Sequence, residues 1–186
     1  MRKTATPFIV AFIMLFSLTS SGQIYNTAQK LKDGAFHLGI APILLVNGDV
    51  SPGLYFLGGV GITHSLDLYI NGRFANNDRS YFGVDLQWAL LQSSPYLSLI
   101  TGAHVGHNLG LDATLDLTFP LGNTVVLYGG LDMDIEFPDN DITVPAWLFF
   151  GPRIYIRRNT ALFMEVDLGL TDITPSIFGL GLGFYF

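Results

Sequence analysis

One histidine and four carboxylates could form a reactive or ion-binding group in the second half of the chain. They are His104, Asp112, Asp132, Asp134 and Glu136. An imidazole beside a carboxylate is a common general base, and several carboxylate oxygens together suit a hard divalent cation such as Ca²⁺. The group is therefore a candidate metal or acid–base site.

A hydrolase would need more than this group supplies. No serine or threonine is assigned beside His104 as a nucleophile, and the chain has no nucleophile elbow, HExxH motif or glycine-rich phosphate loop. The absence of cysteine removes thiolate metal sites, disulfides and cysteine nucleophiles. We expect no catalytic residues and no cofactor, apart from a divalent cation at the acidic group.

The elements that carry these residues follow a period of two. Leu111, Ala113 and Leu115 alternate with Asp112 and Thr114, and similar alternation recurs along the chain. We predict about ten strands of about ten residues each, with eight strands as the alternative. Only short turn sequences separate the strands, so chain neighbours should pair as antiparallel hairpins.

The apolar face of these strands is predicted to face lipid. Only 13% of the residues are charged, against about 25% in soluble domains, and residues 34–186 contain no lysine. Aromatic residues on the apolar face gather at strand ends, as in the aromatic girdles of membrane barrels. Because an open sheet edge is costly in hydrocarbon, we predict a closed transmembrane antiparallel up-and-down β-barrel.

The polar face then lines the interior and is acidic. It carries three arginines, Arg73, Arg153 and Arg157, and nine carboxylates: Asp67, Asp85, Asp112, Asp116, Asp132, Asp134, Glu136, Glu165 and Asp167. Small barrels fill their interiors with side chains, so most of these groups should serve packing and internal pairing. We predict that Arg153 lies across from Glu165 as a structural pair.

The turn sequences also predict a register around the candidate site. Pairing Val105 with Leu111 sets His104 opposite Asp112. The next hairpin then sets Asp112 opposite Asp132, with Asp134 and Glu136 further toward the mouth.

The first residues have the layout of an export signal. Arg2 and Lys3 precede an apolar run, 7–16, and a small polar stretch, 17–22. The run is too short to span a bilayer as a helix. We predict a cleaved signal peptide over 1–22, a polar periplasmic lead-in over 23–33 and the barrel over 34–186.

The last strand, 179–186, ends on Phe186 and has apolar residues at every second position. This segment resembles the C-terminal strand of Gram-negative outer-membrane β-barrel proteins, which their assembly machinery recognises. The residues that carry the resemblance are Phe178, Leu180, Leu182, Phe184 and Phe186. The resemblance implies export across the inner membrane, periplasmic chaperones, insertion by the barrel assembly machinery and contact with outer-membrane lipid. We expect a monomer.

Three functions are compatible with these patterns. The first is a non-enzymatic barrel, structural or weakly permeable to small polar or cationic solutes. The second is an enzyme or metal-binding barrel that uses the acidic mouth, and the third is a soluble periplasmic lipid-binding barrel. A net charge of −6 without a basic cluster argues against nucleic-acid binding.

Export should remove residues 1–22, because the signal is cleaved as the chain leaves the inner membrane. The intact mass of the protein extracted from membranes is expected to correspond to a chain that begins at Gln23. Recovery of the full 1–186 mass would contradict the prediction.

Overall fold

Ten antiparallel strands form the fold. The computed structural model describes residues 27–75, 80–138 and 141–186, so the predicted signal peptide lies outside the described residues. The strands are β1 (Phe36–Asn47), β2 (Asp49–Thr63), β3 (Leu66–Ala75), β4 (Tyr81–Leu91), β5 (Tyr96–Val105), β6 (Leu109–Leu121), β7 (Val125–Glu136), β8 (Ala146–Arg157), β9 (Thr160–Gly169) and β10 (Ser176–Tyr185). The prediction of ten strands is confirmed and the eight-strand alternative is wrong. Within the described ranges, no helix has the length and hydrophobicity to cross a membrane.

The sheet closes into a barrel. Each strand pairs with its chain neighbours, and β1 pairs with β10. The Phe36 amide donates to the Phe186 carbonyl (3.1 Å), and the Phe186 amide donates back to the Phe36 carbonyl (2.9 Å). Closure leaves no edge strand with unpaired backbone groups. We call the end with residues 36 and 186 the near mouth and the opposite end the far mouth.

Alternation sorts the side chains into two environments. Along β6, Asp112, Thr114 and Asp116 are buried inside, whereas Leu111 and Leu115 are exposed outside. Large apolar side chains cover the outer surface on all ten strands, so the third predicted function, a soluble barrel with an apolar interior, is wrong. A surface of this kind requires a lipid environment.

The barrel interior is packed with side chains. Trp147, Tyr55, Phe163 and Arg73 are among its largest fully buried residues. One side of the lumen, formed mainly by β1, β2, β9 and β10, is apolar, with Leu45 and other members of a buried cluster. The buried acidic residues lie on β3, β4, β6, β7 and β9. Buried side chains therefore fill much of the described interior.

Two prolines interrupt the hydrogen-bond ladders between strands, at similar positions along the barrel axis. Pro42 leaves a gap in the β1–β10 ladder between Ile40 and Ile43, and Pro152 leaves one in the β8–β9 ladder between Phe150 and Arg153. Proline has no N–H to donate, and in both cases the missing donor faces the β9–β10 hairpin. An apolar hollow of about 550 Å³ lies on the outer surface there.

A charged side chain at the middle of the outer face should lower the free energy of unfolding. The loss should be smaller toward the ends of the same strand. Leu115 lies at the centre of β6, and Leu109 and Leu121 lie at its ends, all exposed. Leu115→Arg is expected to lower the free energy of unfolding by about 2–4 kcal/mol, against about 0–1 kcal/mol for Leu109→Arg or Leu121→Arg. Denaturant titration in liposomes measures this. Equal costs at all three positions would contradict a lipid-facing wall.

Candidate functional site

All nine inward carboxylates are buried in the barrel, as their alternation predicts. Arg73 and Arg153 are buried with them, whereas Arg157 is exposed at the β8–β9 turn. Among the residues that the structure describes, the lumen therefore holds many more carboxylates than buried arginines. Buried charge without compensation is costly, so this interior must also bind protons, water or cations.

Neutral side chains satisfy only part of this acidic surface. Thr114 Oγ1 donates to Asp132 Oδ1 (2.5 Å), and Asn71 Nδ2 donates to Asp85 Oδ2. Asp85 Oδ1 and Asp116 Oδ2 are buried without a hydrogen-bond partner among the described residues. Each such oxygen is a potential contact for a bound cation or a water molecule.

His104 lies at the centre of an acidic group at the far mouth. Its Nδ1 is 2.5 Å from Asp112 Oδ1, and its Nε2 is 3.7 Å from Glu136 Oε1. The Tyr81 ring packs against the imidazole at 5.7 Å between centroids. Gly110 lies opposite His104, where a Cβ atom would overlap the imidazole ring. Glycine thus makes room for the histidine inside the barrel.

The register at this group differs from the prediction by two residues. His104 pairs with Gly110, and Asp112 pairs with Gly102 on one side and Asp134 on the other. The predicted direct pairs, His104 with Asp112 and Asp112 with Asp132, are therefore wrong. The reason is that both turns, 106–108 and 122–124, are shorter than predicted.

A shift of two residues leaves every side chain on its predicted face. His104 consequently still reaches Asp112 diagonally, and Asp134 and Glu136 join the group. Asp132 lies deeper, paired with Thr114 and Trp147.

The predicted pair of Arg153 with Glu165 is also displaced. Arg153 lies opposite Phe163, and its guanidinium carbon is 5.1 Å from the centre of that ring. The β8–β9 turn consists of two residues, and a bulge at Ile156 restores the alternation. The predicted longer loop would have brought Glu165 opposite Arg153.

The described part of the predicted lead-in, residues 27–33, fills the near mouth. Gln87 Nε2 donates to the Thr27 carbonyl (2.7 Å), and Arg153 Nη1 donates to Thr27 Oγ1 (3.0 Å). The Ala28 amide donates to Thr118 Oγ1 (2.9 Å). We call residues 27–33 the plug.

The rest of the plug is held at the barrel rim. The Leu31 amide donates to Asp67 Oδ2 (2.7 Å), and Lys30 Nζ donates to the Thr63 carbonyl (2.5 Å). A cavity of about 790 Å³ remains between the plug and the wall, and Lys30, Lys32 and Arg158 line it. The near mouth is therefore basic and partly closed, whereas the far mouth is acidic.

Sequence reasoning did not predict the plug. Two signals were present: Gln87 and Thr118 bring neutral hydrogen-bonding groups to the inner face, and Gly61 allows the Lys32 carbonyl to approach the wall closely. Neither signal identifies its partner, because a polar segment before a barrel has no periodicity that reveals where it docks.

The residues predicted as the assembly signal form the outer face of β10. Phe178, Leu180, Leu182 and Phe186 are exposed and Phe184 is half-buried, and the strand closes the barrel against β1. Recognition of this strand by assembly machinery stays a prediction.

The barrel geometry has counterparts among solved structures. The KdgM porin aligns with a TM-score of 0.52 at 8% identity, covering 81% of this chain and 99% of that chain. The NanC porin aligns with a TM-score of 0.51 at 7% identity, covering 79% of this chain and 98% of that chain. The chain has the fold of a transmembrane β-barrel. No protein-family model and no curated protein matches its sequence.

The plug should protect its buried residues from reagents. The chain has no cysteine, so single-cysteine variants give unambiguous labelling. Ala28→Cys is expected to react with a maleimide far more slowly than Lys32→Cys, because Ala28 is buried and Lys32 is exposed. Adding Thr118→Val to Ala28→Cys should speed the reaction, since it removes the acceptor of the Ala28 amide. Equal rates for Ala28→Cys and Lys32→Cys would show that the plug is not docked.

Proposed function

We propose that the protein is a non-enzymatic barrel of the Gram-negative outer membrane that holds small cations in its lumen and passes them weakly. The excess of buried carboxylates over buried arginines carries this proposal. A narrow pathway lined by acidic side chains attracts cations and repels anions.

The packed interior supports low permeability. Trp147 and Phe163 are fully buried in the lumen, and the plug occupies the near mouth. Water and small ions would pass between side chains, whereas sugars and other larger solutes would not. In this proposal the plug, rather than a wide pore, sets the conductance.

One structural neighbour allows its solute to be compared with the solute proposed for this chain. One of them is the KdgM porin in complex with disordered oligogalacturonate, which aligns with a TM-score of 0.50 at 7% identity over 82% of this chain and 99% of that one. Oligogalacturonate is polyanionic, and the acidic lumen of this chain would repel such a solute. We therefore propose a different solute class for this chain.

The surroundings of His104 support a non-enzymatic role. Its two ring nitrogens face the carboxylates of Asp112 and Glu136 rather than a hydroxyl group. A histidine base for hydrolysis would instead contact the hydroxyl of a nucleophile.

Membrane insertion in this proposal follows the route of outer-membrane barrels. A signal peptide would direct export, periplasmic chaperones would carry the chain, and the assembly machinery would recognise β10. The inserted protein would be a monomer surrounded by outer-membrane lipid.

Planar-bilayer recordings under a KCl gradient test the proposal. The wild type is expected to conduct weakly, with a reversal potential of the sign that indicates K⁺ preference. Asp116→Asn combined with Asp167→Asn removes two lumen charges and should reduce that preference.

Asp49→Asn combined with Asp172→Asn is the matched control. Both residues are exposed near far-mouth turns, so the same change of net charge should leave the reversal potential close to the wild-type value. Anion preference in the wild type would overturn the proposed solute class. Absence of any conductance would leave a structural role for the barrel.

A further inference from the structure

Three strong metal ligands lie together at the far mouth. His104 on β5 and Asp134 and Glu136 on β7 each have a donor atom within 4.8 Å of the other two. All three residues are buried. They differ from an exposed patch of acidic residues, since the strands and their packing hold them in place inside the barrel.

Asp112 orients the histidine. Its carboxylate lies 2.5 Å from Nδ1 of His104, while Nε2 lies on the side of Glu136. A carboxylate that accepts from one imidazole nitrogen leaves the other nitrogen to face an ion, and metal-binding histidines are usually held in this way. Asn108 Nδ2 approaches Glu136 Oε2 at 3.5 Å, on the oxygen that does not face His104.

A separate buried carboxylate adds negative charge beside this group. Asp85 is 1% exposed, and its Oδ1 has no hydrogen-bond partner among the described residues. That oxygen lies over Gly102, where a Cβ would overlap it, and Gly102 pairs with Asp112. This oxygen therefore lies in the same row as Asp112, beside a group in which one imidazole faces two carboxylates.

We propose that His104 Nε2, Asp134 and Glu136 bind one divalent transition-metal ion such as Zn²⁺, and that Asp112 holds His104 in position. Imidazole with two carboxylates suits Zn²⁺ or a neighbouring first-row metal. Ca²⁺, the ion suggested by the carboxylates alone, prefers six to eight oxygen ligands. The bound ion would link β5 to β7 across β6 and neutralise part of the acidic mouth.

The Zn²⁺ site would also restrain the β7–β8 connection. Glu136 exchanges backbone hydrogen bonds with Thr143, and the Asp134 amide donates to the Pro145 carbonyl. Two ligands therefore belong to the segment that anchors this connection. Metal binding should stabilise the far mouth as well as the barrel wall, since any ligand of the folded state alone stabilises it.

Calorimetric titration with ZnCl₂ tests the site on the full mature chain, folded in detergent and treated with EDTA. The wild type is expected to bind one Zn²⁺ and to unfold at a higher temperature with it. Glu136→Gln and His104→Gln should each weaken binding by more than tenfold, since each removes a ligand. Asp112→Asn should keep the stoichiometry and weaken affinity by about 10–100-fold, the usual effect of losing such a partner.

Asp167→Asn is the matched control, since it removes one buried lumen carboxylate outside the ligand set. Its Zn²⁺ affinity is expected to stay close to that of the wild type. An equal loss in Asp167→Asn and Glu136→Gln would overturn the site in favour of diffuse attraction by the acidic lumen. Absence of stoichiometric binding to the wild type would also overturn it.

X-ray absorption at the zinc edge tests the site without any variant, in case the substitutions prevent folding. The expected first shell contains one imidazole nitrogen and carboxylate oxygens at about 2.0–2.2 Å. A shell without imidazole would overturn the assignment of His104. Titration and spectroscopy do not depend on ion flux through the barrel. Their results therefore test the metal site independently of the conductance measurements that test the proposed function.

Discussion

Closure of the backbone hydrogen-bond network is the constraint on which the rest of the structure depends. Hydrocarbon offers no partner for an N–H or C=O group, and each unpaired group costs several kcal/mol there. The pairing of β1 with β10, down to the mutual hydrogen bonds of Phe36 and Phe186, removes the open edge. Once the sheet is closed, every strand must turn one face toward lipid and the other toward a narrow interior.

That division places the polar half of the sequence in a confined space. Carboxylates that would be solvated on a soluble protein are instead buried, as Asp132 is beside Trp147 and Asp112 beside Asp134. The buried carboxylates have different partners at the two mouths. At the near mouth the plug donates the Leu31 amide to Asp67, whereas at the far mouth His104 faces Asp112 and Glu136.

The sequence predicted which side of the sheet each side chain takes better than it predicted which residues pair across strands. A period of two shows which side of a strand Asp112 or Leu115 takes, because burial of one face enforces it. Register depends on turn length, and the turns after Val105 and Leu121 are shorter than their polar residues suggested. Because of a single bulge at Ile156, the residue opposite Arg153 on β9 is Phe163 and not the predicted Glu165. Errors of two residues preserve the face, so His104, Asp112, Asp134 and Glu136 still lie together, whereas Asp132, predicted in the same row, lies deeper opposite Thr114 and Trp147.

The hydrogen-bond ladders of the barrel wall are not continuous all the way round. Pro42 and Pro152 remove ladder hydrogen bonds on both flanks of the β9–β10 hairpin, and the outer surface is hollow between them. Elastic deformation concentrates where the fewest bonds resist it. When the bilayer changes thickness or lateral pressure, we expect this two-strand panel to deform more readily than strands whose ladders have no such gap. The proposed metal site on β5 and β7 lies outside that panel, so we expect such deformation to reach it less than it reaches β9 and β10.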